Sequence, residues 1–60
     1  MEIQKVTKQE MSRIIEERQP LGMFYTIEKG RIYVGCDNRT GDAWTEDFKS
    51  LSACKRWLEQ

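Results

Sequence analysis

Few residues in this chain could do chemistry, and they come in restricted combinations. There is no histidine among the 60 residues, so the commonest general base, metal ligand and pH switch is missing. The cysteines, Cys36 and Cys54, lack Cys-x-x-Cys spacing. A Cys-only zinc site needs four thiolates, so one chain cannot build it from these two. They read as small core residues, and a disulfide between them is the sharper alternative. The run Asp37-Asn38-Arg39-Thr40-Gly41-Asp42 has the look of a calcium loop. Arg39, however, stands where an oxygen ligand is needed, and Phe48 stands where the bidentate Glu should be. It reads instead as a hairpin turn, because Asp, Asn, Thr and Gly each favour turns. The glycines at 22, 30, 35 and 41 are scattered and form no phosphate-cradling loop, and no base stands ready to activate a serine or cysteine. The sequence therefore predicts no enzyme, no catalytic residue, no metal and no cofactor.

Composition narrows the class further. Sixty residues make one small domain, 1–60, and bury only about 60% of the surface that the unfolded chain exposes. Ten basic and ten acidic residues cancel, which argues against the strong phosphate field of a typical nucleic-acid protein and provides little repulsion against self-association. Met-Glu-Ile-Gln-Lys has no apolar signal core, and no apolar run approaches membrane-spanning length. A cytoplasmic protein with reduced thiols, and no membrane partner, is expected.

Two helices and three strands can be placed. Ile3 to Val6 reads as a short extended lead-in. Thr7-Lys8-Gln9-Glu10 fits a capping box, Val6 and Met11 fit a hydrophobic staple, and Met11, Ile14 and Ile15 form the apolar stripe of a helix that Pro20 stops near Arg18. Strands follow from Met23 to Glu28, after the Lys29-Gly30 turn, and after the Asn38–Gly41 turn. Ser50 caps a final helix whose stripe is Leu51, Cys54, Trp57 and Leu58. A two-residue Lys29-Gly30 loop sets Ile27 against Ile32, Tyr25 against Val34 and Met23 against Cys36, all on one core face. The second turn allows two registers. Pairing Asp37 with Asp42 turns Trp44 and Phe48 away from that face. A bulge with Gly41 left-handed pairs Asn38 with Asp42 and buries both aromatics, a gain of about 1.5–3 kcal/mol each. The bulged register is the expectation, and it leaves Glu46 on the core face of an edge strand. There Glu46 is either an inward charge that discourages edge-to-edge aggregation or a functional carboxylate of raised pKa. The predicted architecture is a two-layer α+β fold: helix, three-stranded antiparallel meander, helix (αβββα), with both helices on one sheet face.

That arrangement leaves an outer sheet face bare. Phe24, Arg31, Tyr33 and Thr45 are its candidate partner-binding residues, with a protein partner or a second copy as the occupant. The alternative is single- or double-stranded nucleic acid, with the aromatics as stacking platforms and Lys29, Arg31, Tyr33 and Lys49 as contacts.

The order helix–strand–strand–strand–helix resembles the double-stranded-RNA-binding domain in topology. That family has a basic cluster opening its second helix, where this chain has Lys49, then Lys55 and Arg56 a turn later. Its binding residues do not carry over. The run Cys36-Asp37-Asn38-Arg39-Thr40-Gly41-Asp42-Ala43-Trp44-Thr45-Glu46-Asp47-Phe48 leading to Trp57-Leu58 is similar to small uncharacterised phage and prophage proteins of Gram-positive bacteria. This resemblance implies an accessory role, such as binding a host protein, and no biochemical activity. A small non-enzymatic interaction module is the functional expectation.

Overall fold

The computed structural model describes residues 2–60. Its elements are β1 (Ile3–Lys5), α1 (Lys8–Glu17), β2 (Gly22–Glu28), β3 (Ile32–Asn38), β4 (Trp44–Phe48) and α2 (Leu51–Leu58). Helix α1 begins where the capping box requires: the Glu10 amide donates to Thr7 Oγ1 (3.1 Å) and the Thr7 amide to Glu10 Oε1 (2.8 Å). It ends with Arg18 in the left-handed region (φ 59°), two residues before Pro20. Helix α2 is capped by Ser50, whose hydroxyl accepts from the Ala53 amide at 3.2 Å.

The sheet corrects the expected three-stranded meander. It has four strands in the order β1-β2-β3-β4, and β1 runs parallel to β2. The lead-in is therefore an edge strand, prolonged by the Val6 amide donating to the Tyr25 carbonyl at 2.9 Å. Three residues with one apolar member, Ile-Gln-Lys, are too few to display strand periodicity.

Both hairpins are slipped by one residue from the expected registers. In the first, Lys29 and Gly30 both take positive φ (53° and 70°), and the Arg31 amide donates to the Glu28 carbonyl at 3.2 Å. Pairing then resumes between Glu28 and Ile32 rather than Glu28 and Arg31, so Arg31 is an extra residue. In the second, Gly41 is left-handed as anticipated (φ 85°), but Ala43 is too (φ 52°), and pairing resumes between Asp37 and Trp44. The cause is Asn38, which is fully buried. Its Oδ1 accepts from the Ala43 amide (3.1 Å) while its Nδ2 donates to the Pro20 carbonyl (2.8 Å). The loop is wound around that side chain and uses one residue more than a bulge at Gly41 alone.

A slip of one sends alternate side chains to the other face. Phe24 now stands against Cys36 and Thr26 against Val34, while Met23, Tyr25 and Ile27 face Asp37, Gly35 and Tyr33 on the opposite side. Each face therefore carries apolar residues, and each takes a helix. Met11 and Ile14 of α1 pack with Phe24 and Cys36. Cys54 and Leu58 of α2 pack with Met23, flanked by Tyr25, Tyr33, Phe48 and Trp57. The helices lie on opposite faces, giving three layers, not the two-layer stack with both helices on one side. The expected stripe on α1 narrows accordingly: Met11 and Ile14 are buried and Ile15 is 40% exposed.

Contact between β3 and α2 is closest at Gly35. A Cβ there would come within 2.9 Å of Cys54 Sγ and 3.3 Å of the Trp57 ring, so only glycine lets the helix settle at this distance. The sheet separates Cys36, under α1, from Cys54, under α2. Both are free and buried, and the disulfide alternative falls with this layering.

Candidate functional site

With a helix on each sheet face, the parts of the sheet left open to a partner are its two ends and its β1 and β4 edges, and of the edges only β4 exposes a large aromatic side chain. Strand β4 is the outermost member on its side. Trp44, Thr45, Glu46 and Asp47 are all exposed along it, Trp44 by 65%, and only Phe48 turns partly into the core, its ring 5.6 Å from that of Trp57. Trp44 is exposed rather than buried, a correction that follows from the loop around Asn38 shifting β4 by one residue from the expected register.

Asp37 lies opposite Trp44 in the pairing. It holds Arg39 through two side-chain hydrogen bonds, from Nε to Oδ1 (2.9 Å) and from Nη2 to Oδ2 (2.7 Å), and accepts from the Arg39 amide at 3.2 Å. Nη2 of Arg39 also donates to the Gln60 carbonyl at 3.3 Å, which brings the end of α2 to this end of the sheet. The Arg39 side chain beside it holds the Asp37 carboxyl below its ordinary range, and the same bond raises Arg39. This guanidinium is therefore held by intramolecular partners at the surface of this end.

The sequence-predicted contacts do not form one surface. Phe24 is 3% exposed and belongs to the core under α1, a correction that follows from the slipped first hairpin. Thr45 is exposed on the β4 edge, in the same row as Phe24 but beyond Cys36. Arg31 and Lys29 are exposed in the β2–β3 turn, and Tyr33 is half-buried against the α2 cluster. The structure does bring Arg31, Tyr33 and Lys49 together: with Gly30 and Ile32 they line an open recess of about 550 Å³ at the turn end of the sheet. A second recess, of about 340 Å³, lies at the other end beside Leu21, Gly22 and Arg39.

Glu46 is exposed on β4 and does not sit on the core face with Val34 and Cys36 as expected. Burial pushes the thiols of Cys36 and Cys54 up, the former also by Asp37, so neither is poised as a thiolate nucleophile. Among the described residues no group of three or more Cys, Asp or Glu side chains could hold a metal ion, and no helix is long and apolar enough to cross a membrane. No known family model, curated protein or solved structure matches the chain.

Proposed function

We propose that this chain is a small non-enzymatic interaction module that docks a partner protein along its β4 edge, with Trp44 as the anchor. The accessory role implied by the resemblance to small phage and prophage proteins fits such a module. The observation that carries the reading is a tryptophan left 65% exposed on the outermost strand of a sheet whose two faces are otherwise occupied. Tryptophan is the side chain most enriched among interface anchors, and an unpaired edge accepts an extended segment as a further strand.

Charge selects the occupant. Asp42, Glu46 and Asp47 are exposed on β4 and the loop before it. A second copy of this chain would set two acidic strands side by side, which disfavours pairing. An extended segment bearing Lys or Arg would meet opposite charge, and a cation over the Trp44 ring adds attraction.

The test is a fluorescence titration of the Trp57→Phe variant, in which Trp44 is the sole tryptophan. Two alternating peptides of about eight residues, within the usual range of strand lengths and long enough to span β4, serve as probes: one of Val and Lys, the other of Val and Glu. The Lys peptide should shift Trp44 emission to the blue, and adding Glu46→Lys and Asp47→Lys should abolish the shift. Equal responses to both peptides, or none, would remove β4 as the docking strand.

A further inference from the structure

The recess at the turn end has a character that the chain's zero net charge conceals. Arg31 and Lys49 enter it from different segments, the β2–β3 turn and the β4–α2 junction, and the half-buried ring of Tyr33 forms part of its wall. Lys29 is exposed in the same turn. The carboxylates nearby are diverted or turned aside. Glu28 is engaged by Lys8 at 3.6 Å. Asp47 is paired with Val34 and so lies on the sheet face opposite Tyr33 and Phe48. Glu46 shares the face of Phe48 but sits two residues up the strand, about 7 Å away.

Both helices start at this end of the sheet. Helix α1 starts after its Thr7 cap, just past the Val6–Tyr25 hydrogen bond and with Lys8 beside Glu28, and α2 starts after its Ser50 cap, just past the Tyr33–Phe48 pair. Both N-termini therefore lie at the same end of the sheet as Lys8, Lys29, Arg31 and Lys49; the Glu10 carboxylate caps the first turn of α1, so the positive end of the peptide dipoles that stays uncompensated is that of α2, whose first turn holds no acidic residue. At the opposite end Asn38 and Arg39 bond Pro20 and Gln60, near the two helix C-termini.

We infer that the recess between Gly30, Arg31, Tyr33 and Lys49 is a binding site for a phosphate group. The planar fork of Arg31 suits two oxygens of a tetrahedral anion, Lys49 supplies a second charge from another direction, and the recess is open enough to admit a phosphate carried on a larger molecule. The same chemistry is presented by a free phosphate and by a nucleic-acid backbone. Trp44 lies at the other end of β4, so this site stands or falls independently of the proposed docking strand.

The experiment is an amide-resolved NMR titration of the full chain at low salt, with inorganic phosphate in one arm and an oligothymidylate of about eight nucleotides in the other. Saturable shifts should centre on Gly30, Arg31, Tyr33 and Lys49. Arg31→Gln combined with Lys49→Gln should weaken them about tenfold or more. Lys55→Gln combined with Arg56→Gln removes the same charge from exposed positions of α2 and should leave them unchanged. All four positions are exposed, so amide dispersion will verify that both variants fold. Much tighter binding of the oligonucleotide, with affinity falling steeply as salt rises, assigns the phosphate to a nucleic-acid backbone. Equal affinity assigns it to a free phosphate. Absence of localised saturable shifts in both arms, or equal weakening in the two double variants, overturns the site.

Discussion

At the residue scale, the groups that could react are shielded or committed. Cys36 and Cys54 are fully buried and their thiols are raised by burial, so each reacts only when the chain opens. For a domain stable by a few kcal/mol, modification by a soluble disulfide reagent at neutral pH should be about a thousandfold slower than for a free thiol, with both thiols reacting at once in urea. Rapid labelling of either cysteine in the folded chain would contradict its position in the layers. Asp37 gives a second expectation. Its carboxyl titrates below the ordinary range in the folded chain, so as pH falls the unfolded state takes up the proton first. The Asp37–Arg39 pair thus contributes stability in full above the ordinary carboxylate pKa and loses it as pH drops through the folded one. Urea midpoints of Arg39→Gln should show a weaker decline than wild type between about pH 5 and pH 3. Parallel curves would mean that Arg39 does not govern this carboxyl.

At the element scale, signals confined to a few neighbours were legible and those set by distant contacts were not. The Thr7 capping box, the Ser50 cap, the stop before Pro20 and the two turns are readable because each is a local hydrogen-bonding or dihedral preference. The registers depend on one extra residue per loop. Lys29 accepts a positive φ that lysine disfavours, and Ala43 does so because Asn38 captures its amide from within the core. Asn38 lies 18 residues from its other partner, Pro20, so no window around the turn reveals the clamp. For the same reason the choice between the two registers, and with it the exposure of Trp44, is not decided by the residues around the turn. Asn38→Asp tests the clamp. One carboxylate oxygen still accepts from Ala43, but the other meets the Pro20 carbonyl with no proton between them, in a fully buried position. At neutral pH the loss should be about 3 kcal/mol, from an unmet acceptor plus a buried charge. The folded carboxyl is driven above its unfolded pKa, so the deficit relative to wild type should shrink on lowering the pH to about 4, where the protonated group can donate to Pro20. A deficit independent of pH would show that Asn38 does not bridge the two loops.

At the scale of the whole molecule, the three layers give this short chain two thin half-cores instead of one. Met11, Ile14, Phe24 and Cys36 form one, and Met23, Cys54 and Leu58 the other, with the sheet between them. Neither is large enough alone, since a single core in a chain this size rarely supplies more than about 3–5 kcal/mol. Removing residues 1–20 takes away β1, α1 and the Pro20 acceptor of Asn38 together, and bares Phe24 and Cys36. Exposing Phe24 alone costs about 1.5–3 kcal/mol, and orphaning the buried Asn38 amide about 1–3 more, which together match or exceed the expected stability. The chain beginning at Leu21 should therefore be unfolded, with collapsed amide dispersion and no cooperative urea transition, although it retains three of the four strands and α2. A dispersed spectrum with a cooperative transition would show that the α2 half-core can hold the sheet without the layer on its other face.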